Sequence, residues 1–153
     1  MNEPLNAQAR AGHRLLQAGM VLFLLGLITG LISGQLANPR MGLTSHLEGV
    51  MNGPFLIVLG LMWPRLMLGP RALTAAFWMA LYGTYVNWGT TLYGAAFGAG
   101  EKMAPITGKG FTGTSFEEGV VAFGFISLTI AIIPLCVMVL WGLRGGPRSF
   151  SGK

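Results

Sequence analysis

The sequence predicts an all-α, polytopic membrane protein: a bundle of four transmembrane helices. Three observations carry that expectation. Four apolar segments are each close to the roughly 20 residues that cross a hydrocarbon core. Charge is scarce: 10% of residues are charged and none is aspartate, against 52% hydrophobic, whereas an average soluble domain is about 25% charged. Every gap between the segments holds proline, glycine or charge, the usual helix breakers. With 153 residues and a mean hydropathy of +0.60, the chain has room for one domain of four spans.

The first span is expected over 15–36, ahead of Ala37-Asn38-Pro39-Arg40. Arg10 and Arg14 before it give it the look of a signal peptide. Its apolar stretch outruns the usual 7–15 residues of such peptides, so it reads as a retained helix. The second span covers 45–63 and stops at Trp63-Pro64-Arg65. The third covers 73–97. The fourth covers 118–143, before Arg144-Gly145-Gly146-Pro147. The gap of 98–115 between the last two is the longest and reads as a flexible outer loop. Its lone Gly108-Lys109 lacks the strand and spacing of a phosphate loop.

Charge then orients the bundle. One side holds Arg10, Arg14, Arg65, Arg71, Arg144, Arg148 and Lys153, the other only Arg40, Lys102 and Lys109, seven against three of the ten basic residues. Under the positive-inside rule both termini are cytoplasmic. The net charge of +5 comes from scattered single residues without interleaved aromatics, so no nucleic-acid partner is expected and the lipid bilayer is. Cys136, the only cysteine, sits inside the last apolar run and reads as a small buried hydrophobe.

Against this background the polar residues stand out. His46 is one of two histidines, and ionisable groups in spans are costly and usually functional. At 100° per residue, His46, Gly49, Gly53 and Gly60 fall within about 60° of one another. Small residues beneath a histidine admit two uses: a bed for a flat group, or close helix packing. Ser45-x-x-Glu48 and Ser115-x-x-Glu118 both match a capping box at a helix start. Asn52 is farther into its span, about 120° from His46 in phase, so the two address one ligand most readily if the site lies between two copies of the chain. Thr84, Asn87 and Thr91 share a face of the third span, with Tyr82, Tyr85 and Tyr93 elsewhere around it. Two asparagines supply neutral donors and acceptors suited to a small, partly apolar substrate. No serine–histidine–acid or cysteine–histidine set accompanies them, which argues against hydrolysis. One imidazole cannot build a protein-only zinc site but can fill one axial position of a haem.

The segments Ser45-His46-Leu47-Glu48-Gly49-Val50-Met51-Asn52-Gly53, Ala37-Asn38-Pro39-Arg40-Met41-Gly42-Leu43 and Ala80-Leu81-Tyr82-Gly83-Thr84-Tyr85-Val86-Asn87-Trp88 resemble the hydroxylaminobenzene mutases, over about 12–143. More distantly the chain is similar to styrene oxide isomerase, through the His-x5-Asn-Gly spacing and the third-span asparagine. The resemblance implies an isomerase that converts hydroxylaminobenzene, a small aromatic hydroxylamine, to 2-aminophenol in a bacterial cytoplasmic membrane. It further implies haem b, with His46 as axial iron ligand beside Gly49 and Gly53, and a homotrimer or a multiple of one. Asn52, Asn87 and Thr91 become the expected catalytic residues. Thr91 stands where styrene oxide isomerase has a tyrosine, which favours the mutase reaction over epoxide isomerisation.

Overall fold

A computed structural model describes residues 3–144, and the tail from 145 to 153, with Arg148 and Lys153, lies outside the described residues. Four long helices follow one another: α1 over Glu3–Ile32, α2 over Pro39–Met62, α3 over Pro70–Phe97 and α4 over Ser115–Gly142. Short 3-10 turns at Ser33–Gln35 and Trp63–Arg65 finish the first two. The described residues contain no strand. Each helix packs chiefly on its neighbour in sequence, α1 on α2, α2 on α3 and α3 on α4.

Helix ends fall where local chemistry sets them, and three lie outside the apolar runs. α2 begins at Pro39, six residues ahead of the expected Ser45. Asn38, fully buried, caps it by accepting from the Arg40 and Met41 amides at 3.1 and 3.2 Å, and Pro39 takes the first helical position, which needs no amide. α1 extends back to Glu3, where Gln8 donates to the Trp63 and Leu66 carbonyls at 2.7 and 3.0 Å and so satisfies the end of α2. α4 is capped one residue early, by a Thr114–Glu117 box. The two predicted boxes are therefore corrected: Ser45 and Glu48 lie inside α2, and Glu118 points elsewhere.

That elsewhere is the loop between α3 and α4. Glu118 accepts from the Gly100 and Gly113 amides at 2.7 and 3.2 Å. Asn38 donates to the Thr107 carbonyl at 2.9 Å, Arg40 to the Lys109 carbonyl, and Glu101 accepts from the Gly110 amide and the Thr112 hydroxyl. The segment expected to be a flexible loop is thus tied down by side chains from α2 and α4. It starts at Gly98, whose φ of 63° is open to glycine and ends α3 in the left-handed region.

The α1–α2 seam runs on glycine. A Cβ on Gly12 would sit 2.7 Å from the Gly60 oxygen, and one on Gly19 2.6 Å from the Gly53 oxygen. One on Gly26 would sit 2.7 Å from the Gly49 carbonyl carbon. Backbones meet directly, as small residues allow in membrane helix pairs. Leu15, Leu22, Leu56, Leu59, Trp63, Ala76, Ala80 and Leu135 fill the buried core beside this seam.

Outer faces are apolar. Leu24, Leu31, Leu61, Phe123, Ile130 and Leu140 are exposed, a surface suited to hydrocarbon rather than water. Among the described residues three helical stretches are long and apolar enough to cross a membrane: Asn6–Gln35, Pro39–Arg65 and Ser115–Gly142. α3 has the length, with 28 residues, but Thr84, Asn87, Thr90, Thr91 and three glycines dilute its hydropathy. Cys136 is on the outward face of α4 and exposed, not buried as expected.

Candidate active site

His46 and Glu48 leave α2 on opposite sides, about 160° apart at 100° per residue. His46 turns to α1. Its Nδ1 lies 2.9 Å from the Gly26 carbonyl oxygen, and Gly30 leaves room for the ring, since a Cβ there would sit 2.6 Å from Nδ1. A carbonyl only accepts, so the proton of the neutral ring is on Nδ1 and the lone pair on Nε2. A histidine held this way by a backbone carbonyl has the orientation and tautomer of a metal ligand.

Glu48 turns to α3. One carboxylate oxygen, Oε2, accepts from the Asn52 side-chain amide at 3.1 Å and also from the Asn87 amide. Asn52 is one turn along the same helix, and Asn87 reaches in from α3. All three side chains are half-buried. Ser45, one turn ahead of Gly49, donates to the Trp88 carbonyl at 3.1 Å, and the Trp88 indole donates to Thr29 of α1 at 3.1 Å. These bonds register α3 against α1 and α2 at the level of the cluster.

Of the residues singled out in the sequence, the structure brings Asn52 and Asn87 together and leaves His46 on the far side of α2. Thr91 is buried, and its hydroxyl donates to the Asn87 and Trp88 carbonyls of its own helix at 3.0 and 2.9 Å. Gly49 and Gly53 face α1, so of the two uses open to them the structure displays close helix packing. Tyr85 donates to the Ala18 carbonyl at 2.8 Å and Tyr82 to Ser127 at 2.9 Å, each tying two helices together. Glu48 is the member that sequence reasoning misread. Its i, i+4 relation to Asn52, a pair spacing that brings side chains together on a helix, was the available signal. Among the described residues no three His, Cys, Asp or Glu side chains converge.

Two concavities lie apart from the cluster. One of about 440 Å³ is lined by Gln8, Arg14, Trp63, Phe77 and Trp78, near the start of α1. A shallower groove of about 450 Å³ runs along Ala18, Leu81, Tyr82, Tyr85 and Val86. Neither includes Glu48, Asn52 or Asn87.

Comparison with known proteins adds a relationship to this geometry. The styrene oxide isomerase family matches residues 11–144. Hydroxylaminobenzene mutase HabB of Ectopseudomonas oleovorans is 54% identical over 142 residues, 93% of this chain and 87% of the relative. The chain belongs to the hydroxylaminobenzene mutases of the styrene oxide isomerase family. Hydroxylaminobenzene mutase HabA of the same organism is 45% identical over 129 residues, 84% of this chain and 96% of its own. No solved structure matches significantly. As a hydroxylaminobenzene mutase relative the chain is an enzyme of the isomerase class, built as a helical bundle with membrane-compatible faces.

Proposed function

We propose that this enzyme converts hydroxylaminobenzene to 2-aminophenol by moving a hydroxyl group within the substrate. The observation that carries the reading is the 54% identity with a hydroxylaminobenzene mutase over nearly the whole chain, joined to a polar cluster of Glu48, Asn52 and Asn87 inside an apolar bundle. In the overall reaction the N–O bond breaks and a C–O bond forms at the ortho carbon. The ortho proton leaves and nitrogen gains one, so substrate and product are isomers and no external electron is needed.

The donor set fits haem b: His46, with its Nδ1–H committed to the Gly26 carbonyl, would hold the iron through Nε2. When bound, the iron would supply Lewis-acid polarisation of the hydroxylamine oxygen. The chain's own residues orient the substrate. Asn52 and Asn87 present side-chain amides to its N–H and O–H groups, and the apolar setting of the bundle limits capture of an electron-poor arene by water. Thr91, engaged with its own helix, adds bulk smaller than a tyrosine beside Asn87.

Because His46 and the Asn52–Asn87 pair face opposite sides of α2, a site using both draws on two copies of the chain. This favours a homotrimer, or a multiple of it, with closed symmetry. α3 completes a four-span topology in a bacterial inner membrane, both termini cytoplasmic by the basic-residue asymmetry.

The family description also favours a second reading, isomerisation of an aryl epoxide. Purified protein offered hydroxylaminobenzene and styrene oxide in parallel separates the two. The expected product is 2-aminophenol, and turnover of the epoxide alone overturns the mutase reading.

A further inference from the structure

We propose that Glu48 is a positioning residue: it fixes the amide orientation of Asn52 and Asn87 so that both Oδ1 atoms are presented as acceptors to the N–H and O–H of the substrate. The proposal rests on the aryl-hydroxylamine reading above. Its physical basis is the asymmetry of the hydrogen-bonding groups. An ionised carboxylate has lone pairs and no hydrogen, so an amide that meets it must turn its nitrogen inward. Glu48 meets two, from different helices, on the same oxygen Oε2. Turning both nitrogens toward one point turns both carbonyl oxygens away from it. Among the described residues neither Oδ1 accepts a hydrogen bond, whereas Asn38, the asparagine used as a helix cap, employs both ends of its amide.

Glu48 has no competing structural duty. It lies in the middle of α2 rather than at its start, so it caps nothing, and among the described residues no Lys or Arg side chain bonds to it. Sequence spacing makes the arrangement compact: Glu48 and Asn52 are one turn apart, and Ser45, one turn before Gly49, anchors α3 through the Trp88 carbonyl, next to Asn87. The outcome is a pair of acceptors held by one carboxyl oxygen. An aryl hydroxylamine, with two donors, satisfies such a pair. An epoxide, which only accepts, does not.

The test compares Glu48→Gln with Glu48→Met in the full-length protein in detergent, with asparagine labelled by nitrogen-15. Gln can place a neutral acceptor at the Oε2 position and Met cannot. In the wild type, two Asn side-chain amides are expected at strongly hydrogen-bonded shifts. Gln should keep them and retain kcat on hydroxylaminobenzene within about tenfold, while Met releases them and lowers kcat about 10- to 100-fold with a smaller change in KM. N-phenyl-O-methylhydroxylamine, which lacks the O–H, should compete about tenfold less well than a donor-complete analogue against the wild type, and this difference should shrink in Glu48→Met.

Unchanged amide shifts and unchanged kcat per folded protein in Glu48→Met overturn the proposal. So does a Glu48→Gln variant as inactive as Met with its amides still held, because Glu48 would then act on the substrate itself. If the Met chain does not fold, Gln alone decides: both amides must stay hydrogen-bonded with kcat within about tenfold, and either free amides with kcat unchanged or an inactive variant with its amides still held overturns the proposal. A wild type that ignores hydroxylaminobenzene overturns the functional reading, and the amide shifts still judge the role of Glu48.

Discussion

Gly19→Ala should weaken the α1–α2 seam on which His46 rests. The added methyl would lie 2.6 Å from the Gly53 oxygen, 2.8 Å from Ile57 Cγ1 and 2.9 Å from the Ile57 nitrogen. Two of those three atoms are backbone and cannot rotate aside. Ordinary contact needs about 3.5 Å or more, so the helices must separate locally by roughly 0.6–0.9 Å. A gap of that size forfeits about a quarter to a half of the attraction at each neighbouring contact. Overpacking of this kind costs about 1–3 kcal/mol, against which alanine returns about 1 kcal/mol of helix propensity. Gly119→Ala is the matched control: a Cβ there meets nothing within 4 Å, leaving only the propensity gain. The two variants should therefore differ by about 1–3 kcal/mol in unfolding by denaturing detergent followed through tryptophan fluorescence. Equal stabilities would refute the account of α1 and α2 as helices in direct backbone contact.

Three further outcomes follow from the same geometry. His46→Ala should lose the Soret absorbance of the purified protein and its turnover while far-UV circular dichroism is unchanged. Asn52→Ala should keep the Soret band and lower turnover by the worth of one hydrogen bond, about 0.5–3 kcal/mol, and mixed oligomers of the two variants should recover part of the activity, measured after co-expression with two affinity tags. Glu101, half-buried in the loop, has its carboxyl held below the usual carboxylate range, first by the Gly110 amide and then by the Thr112 hydroxyl and Lys109. A folded value below the unfolded one adds stability above the unfolded pKa that is lost as pH falls through the folded pKa. Glu101→Gln should flatten that acid-side loss, read as thermal midpoint against pH.

Much of the architecture was legible because it rests on one-dimensional signals. Apolar length marked the helix centres, and Pro39, Pro64 and Pro70 marked the breaks. The ends were less legible because polar residues extend them: Gln8 is helical through a bond to the far end of α2, and Asn38 starts α2 before its apolar run begins. Glu48 shows the limit most clearly. Ser45-x-x-Glu48 is a sound local capping pattern, yet Ser45 bonds α3 and Glu48 gathers two amides, contacts set by tertiary packing. Glycine phase correctly selected Gly49, Gly53 and Gly60 as one face, but only the partner helix reveals that the face is a seam. Cys136 was misjudged because an apolar run in a membrane bundle can face outward as readily as inward.

The most direct test of the central claim is the fate of the hydroxyl oxygen. Hydroxylaminobenzene incubated with the purified protein in water enriched in oxygen-18 should give 2-aminophenol carrying only the original oxygen. Incorporation of solvent oxygen at the enrichment of the water, or the absence of 2-aminophenol, would contradict an intramolecular transfer by this protein.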